Sequence, residues 1–253
     1  MMDIRYNIEL PLFSVSFLRQ IPDSVVKLSE KQFLVLIRFL TGKEKFYRVI
    51  QYLFRINFFL AFIVCKRKFW VYKLSECLSP LCDFTKPADR MLIRNIPGTV
   101  LFSPGEKFKG VTFLQFMFVD TMYSHYLQTK QKNHLYSFIA ALYLKKGELF
   151  SNMNMKNRLE YLEKAIDDSS VTDAIVINYM MMKKWLEMSY PYMFTSNNDM
   201  DPADTVRKQK WLDIFDAFVG EQIPNTEYYK NMACMDAFRI INRRMKNYYN
   251  GKN

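Results

Sequence analysis

The side chains able to do acid, base, nucleophile or metal chemistry are few in this chain, and their spacing limits them further. His125 and His134 are the two histidines, and Cys77 and Cys82 are the nearest pair among four cysteines. Neither pair has the close spacing that puts two ligands on one turn, as zinc knuckles and fingers do, so no metal site is expected. A Ser-His-Asp or Cys-His arrangement would have to use one of these histidines, and no Gly-x-Ser-x-Gly turn accompanies them. The 7 glycines never cluster before a Lys-Ser pair or a helix start, so no phosphate-cradling loop is expected either. Asp167-Asp168, beside Ser169 and Ser170, reads as a solvated turn at a helix end rather than an acid–base pair. The expectation is a protein that is not an enzyme and needs no cofactor.

Asp120 stands apart. It falls one turn after Phe116 and Met117 in an apolar stretch, where an unpaired carboxylate is costly, so a structural ion pair is expected. The net charge of +11 is unevenly spread: 16 Lys and Arg face 8 Asp and Glu in residues 1–100, against 20 and 17 in the remainder. Such a field draws nucleic acid, anionic lipid or acidic protein without choosing among them. Two short groups combine cations with rings that can stack on bases: Lys66, Arg67 and Lys68, and Arg239, Arg243, Arg244 and Lys246 beside Tyr248 and Tyr249. The second group also suits the negative end of a helix dipole, which needs no ligand. Met180, Met181 and Met182 run together; one helix cannot bury all three on a narrow stripe, so one is expected to face a protein partner.

The elements that must position these groups are mostly helical. Ser29 and Gln32 form a capping box before Phe33, Leu34, Leu36, Ile37 and Leu40 at helical spacing, and Gly42 closes that helix. A second helix is predicted over 46–64. The apolar window 49–65 suggests a membrane span, but Gln51, Arg55 and Asn57 leave only 58–65 free of strongly polar side chains, whereas a span needs about 20 residues. A buried core helix is expected there. Residues 69–72 read as a short strand. Pro80, Pro87, Pro97 and Pro104 with Gly98, Gly105 and Gly110 make 75–111 irregular, with one small hairpin whose arms, 90–95 and 99–102, flank Pro97-Gly98.

Thr112 and Gln115 form a second capping box, opening a helix through Leu127 that is apolar around most of its circumference and therefore central. Further helices are predicted over 134–145, over 154–166 with Asn154 as cap, from Thr172 until Pro191 stops it, from Asp201-Pro202 to Val219, and over 227–248. This gives a mainly α single domain, 1–253, of about eight helices with a small β-containing insert around residues 68–111. It can be subdivided into a basic part, 1–110, and a helical part, 111–253. Asp3, Arg5 and Glu9 interrupt the apolar run that a secretory signal would need, and cysteines in no even framework suit a reducing compartment.

The middle of the chain carries a family likeness. Val111-Thr112-Phe113-Leu114-Gln115-Phe116 with Asp120 and Thr121, the helix over 135–143 ending in Ala-Leu-Tyr, Asn178-Tyr179, and Tyr190-Pro191-Tyr192-Met193-Phe194 are its pieces. Together they resemble small helical proteins from the structural and tail-assembly modules of tailed bacteriophages and prophages, above all tail assembly chaperones. The resemblance covers residues 110–195 or so and transfers no functional residue. It implies a non-enzymatic protein of the bacterial host cytoplasm, or associated with the virion, that keeps an aggregation-prone helical partner such as a tape-measure protein soluble during assembly. A content of 22 Phe, 16 Tyr, 3 Trp and 16 Met fits a role in binding irregular partner surfaces. The rival expectation is a nucleic-acid-binding protein that uses the basic groups near 66–68 and 239–246.

Overall fold

The chain opens with strict alternation of apolar and polar residues, Met-Asp-Ile-Arg-Tyr-Asn-Ile-Glu-Leu, the two-residue period of a strand. In the computed structural model, which describes residues 2–10, 13–151, 153–194, 211–220 and 225–251, this stretch is β1 (Met2–Leu10). It pairs antiparallel with β2 (Phe13–Ile21), Met2 opposite Ile21 and Leu10 opposite Phe13. The longest strands therefore lie outside the predicted 68–111 insert, although the chain is mainly helical as expected, with 12 helices among the described residues.

α1 (Glu30–Leu40) starts at the predicted capping box: Ser29 Oγ accepts from the Gln32 N–H, and Gln32 Oε1 accepts from the Ser29 N–H at 3.0 Å. The Gln32 amide also donates to the Tyr52 carbonyl at 3.3 Å, tying the start of α1 to the end of α2 (Phe46–Phe54). The single helix predicted over 46–64 is two. Arg55 takes left-handed backbone (φ 52°) while its N–H still bonds the Gln51 carbonyl, which closes α2. Asn57 then caps α3 (Phe58–Cys65), its side chain accepting from the Leu60 N–H at 2.8 Å.

Residues 69–72 belong to α4 (Lys68–Leu78) and not to a strand. Buried Leu74 and Leu78 recur at helical spacing there, a period longer than four residues reveal. Residues 82–100 are irregular, as expected. β3 (Leu101–Phe102) pairs with β4 (Leu144–Lys145), so the predicted hairpin shrinks to one bridge between Asn95 and Phe102. The helix expected over 134–145 accordingly ends early, as α6 (Lys132–Leu142).

α5 (Phe113–Thr129) is central, as its apolar circumference predicts. Its capping box is half made: Thr112 Oγ1 accepts from the Gln115 N–H at 3.2 Å, but the Gln115 side chain donates to the Ala141 carbonyl at 2.8 Å, a partner on α6 that local sequence does not show. Asn154 makes no side-chain cap for α7 (Met155–Ala165). α8 (Ser169–Ser189) begins ahead of Thr172, capped by Asp168, which accepts from the Ser170 N–H at 2.9 Å. Asp167-Asp168 thus stand just past the end of α7, as expected, and at the start of α8 as well. Asp168 also pairs with Arg38 at 2.8 Å and Lys43 at 3.5 Å, binding α8 to α1.

Pro191 opens α9 (Pro191–Phe194). The helix start predicted at Asp201-Pro202 lies outside the described residues. Beyond it come α10 (Trp211–Val219), α11 (Thr226–Asn231) and α12 (Cys234–Asn250). The last predicted helix is split because the backbone between α11 and α12 pairs with the start of α5: Phe113 N–H bonds the Met232 carbonyl at 2.8 Å and Cys234 N–H the Val111 carbonyl at 3.0 Å. These breaks raise the helix count above eight. One apolar core runs from Ile21 to Ile241, with Phe116 edge-on to Phe238 (4.7 Å) and Trp211 (5.1 Å) at its centre.

Candidate docking face

α3 consists of eight apolar residues, Phe-Phe-Leu-Ala-Phe-Ile-Val-Cys, and only Ala61 and Val64 are buried. The expected core helix is therefore corrected for this half of the window: the left-handed Arg55 swings α3 off the line of α2, and only one of its sides meets α2 and α4. Phe58 (44% exposed), Phe59 (70%) and Phe62 (39%) face outward. At the area of an aromatic side chain this is on the order of 300 Å² of exposed ring, comparable to the largest apolar patch on a typical monomer.

The rings are ordered among themselves. Tyr47 of α2 meets Phe58 edge-on at 5.2 Å and Phe62 at 5.9 Å, while Phe58 and Phe62 stack with planes 13° apart. Cations flank them: the Arg48 guanidinium lies 5.1 Å over Phe58 and the Lys66 ammonium 5.0 Å over Phe62. Lys66, Arg67 and Lys68 follow directly and are exposed. This is an aromatic centre with a cationic rim, the composition of a protein-binding hot spot.

The other sequence-predicted residues lie elsewhere. Arg239 pairs with Asp236 at 3.1 Å on α12, Arg244 donates to the Phe218 carbonyl at 2.6 Å, and the Lys246 ammonium lies 5.8 Å over Tyr192. Arg243 is exposed. α12 packs on α5 and α9, whereas α3 packs on α2 and α4, so the two basic groups sit on different supports. Met181 and Met182 are fully buried, and Met180 is half-buried against the same core. The methionine run thus feeds the core, because neighbours on two sides of α8, α1 and α6, take up a wider arc than one stripe.

Asp120 is 4% exposed and fully engaged. It accepts from the Trp211 indole at 2.7 Å and the Tyr179 hydroxyl at 3.1 Å, and pairs with Lys183 at 2.9 Å. Burial, then the adjacent carboxylate, holds the Tyr179 phenol far above its ordinary range, so it stays a neutral donor. The cluster joins α5, α8 and α10. With each oxygen already occupied, it is a structural tie and offers no free base.

The rings of His125 and His134 lie 5.3 Å apart, and His134 Nδ1 meets the Thr129 hydroxyl at 2.9 Å. Among the described residues no group of three or more His, Cys, Asp or Glu side chains, Cys77 and Cys82 included, is placed to hold a metal. Burial pushes the Cys65 thiol up to about 11 and the Cys234 thiol up to about 12, which removes the reactive thiolate at neutral pH. No helix among the described residues is long and apolar enough to cross a membrane.

The sequence pointed to Lys66, Arg67 and Lys68 but not to Phe58, Phe59 and Phe62, since an apolar run reads as core until its exposure is known. Comparison with protein-family models, curated proteins and solved structures finds no match to this chain.

Proposed function

We propose that this chain is a non-enzymatic docking protein that captures a protein partner on the aromatic face of α2 and α3. The observation that carries this reading is α3 itself: an all-apolar helix whose Phe59 is 70% exposed, bordered by Arg48 and Lys66. Charge complementarity sets the partner's chemistry. It presents apolar side chains to the rings and carboxylates to the rim, as an amphipathic acidic helix does. The tail-assembly resemblance supplies the setting, in which the partner is a tape-measure or other tail protein held soluble during virion assembly.

The test is co-expression with candidate tail proteins followed by pull-down, using wild type and the Phe59→Ser, Phe62→Ser double variant. Capture by wild type, with loss in a variant that melts at the wild-type temperature, supports the reading. Equal capture by both proteins moves the site off this face, and no capture by wild type overturns the docking role.

A further inference from the structure

A second surface differs from the aromatic face in being a cleft and in being dominated by cations. It has a volume of about 540 Å³ and is walled by three separate pieces of chain, Pro22 to Gln32, Arg55, and Arg90 to Arg94. Its size falls within the range of small-ligand pockets. Lys27, Arg55, Arg90 and Arg94 line it, and Glu30 is the one carboxylate among the described lining residues.

The fold holds these cations in place. Arg55 sits at the left-handed turn between α2 and α3, and the Gln32 amide on the Tyr52 carbonyl ties that end of α2 to the start of α1. Arg90 and Arg94 ride on an irregular strip fastened from behind. Asn178 of α8 donates to the Arg90 carbonyl at 3.2 Å and accepts from the Leu92 N–H, and the buried Tyr143 hydroxyl donates to the Ile93 carbonyl at 2.6 Å. Glu30 is directed to backbone, accepting from the Arg94 N–H at 3.4 Å.

Charge pairing is incomplete. Lys27 is matched by Asp23 at 2.8 Å, and Arg90 approaches the exposed Glu106 only to 3.7 Å. Among the described residues neither the Arg55 nor the Arg94 guanidinium has an ion-pair partner. The positive end of α1 also opens on this cleft and adds to the field. Two guanidiniums without an ion pair, Arg55 and Arg94, and a third, Arg90, held only at 3.7 Å by Glu106 outside the cleft, are more than a single carboxylate ligand would need and suit the charge and oxygen count of phosphate.

We infer that this cleft is a binding site for a phosphate group, carried by a small phosphate compound or by a nucleic-acid strand, with Arg55, Arg90 and Arg94 as its ligands. Neither basic group singled out in the sequence contributes to it.

The experiment is titration calorimetry with inorganic pyrophosphate and, separately, with a single-stranded oligonucleotide, on wild type, on the Arg55→Gln, Arg94→Gln double variant, and on Arg239→Gln as a control away from the cleft. The expected result is pyrophosphate binding that weakens with salt, falls about tenfold or more in the double variant, and is unchanged in the control. Oligonucleotide affinity that falls in the same double variant assigns the phosphate to a strand; oligonucleotide affinity that does not, with pyrophosphate affinity lost, assigns it to a small compound. Arg94→Gln alone, at an exposed side chain, repeats the measurement should the double variant melt early. Absence of pyrophosphate binding to wild type, or equal binding by variants and wild type, overturns the site.

Discussion

α5 and α3 are two helices without a clean polar face, and the fold treats them in opposite ways. α5 is wrapped by α6, α10, α11 and α12, which bury Phe113, Phe116, Met117, Val119 and Tyr123. α3 is the more uniformly apolar of the two, yet its neighbours fully bury only Ala61 and Val64. The difference teaches that hydrophobicity records a need for cover but not who supplies it. Within the described chain, α5 is covered by its own fold, whereas the outer side of α3 stays exposed.

The comparison can be broken most directly at its buried end. Phe116→Ala removes the ring at the meeting point of Phe238 and Trp211 and is expected to cost about 3–5 kcal/mol in urea unfolding. Next comes the polar tie within the same core. Asp120→Ala strands the Lys183 ammonium and the Trp211 indole, and a loss of about 3 kcal/mol is expected by the same measurement.

Asp168 tests the rim of the core, where α8 is fastened to α1. Burial raises its carboxyl, but the Ser170 N–H and Arg38 outweigh that and bring it down from 3.8 to about 2. A lowered folded value means that the stabilisation is complete above pH 4 and is lost as pH falls through 2. Wild type should therefore lose on the order of 1 kcal/mol more than Asp168→Asn over that window, after allowance for solvent screening.

The smallest effect on stability belongs to the exposed end of the comparison. Phe59→Ser should change unfolding free energy by no more than about 0.5 kcal/mol, even as it weakens partner capture. A loss near that of Phe116→Ala would show that α3 is covered within its own chain, and the contrast between the two helices would collapse.

Local signals were legible in the sequence and tertiary ones were not. The Ser29–Gln32 box is complete in four residues and forms as read. The Thr112–Gln115 box looks the same on paper, but Gln115 is claimed by Ala141, 26 positions away. The break at Arg55 carries no glycine or asparagine to announce a left-handed residue. The alternation over 2–10 is plain: Asp3, Arg5 and Glu9 keep the two-residue period of β1 as well as interrupting the apolar run of an export signal. For Asp120, the cost of burying a carboxylate required a partner, but nothing local identified Lys183 or Trp211. The phosphate cleft was illegible for the same reason, its arginines coming from segments with unrelated local patterns.

The bonds from Asn178 and Tyr143 to residues 90–93 have a dynamic consequence. That strip has no helix or sheet ladder of its own, yet the Leu92 N–H and the Arg90 and Ile93 carbonyls are bonded to buried side chains, so its opening is coupled to that of α8 and the end of α6. Hydrogen exchange at Leu92 should keep the slow clock of the deepest helices, giving a loop in shape that behaves as interior in time.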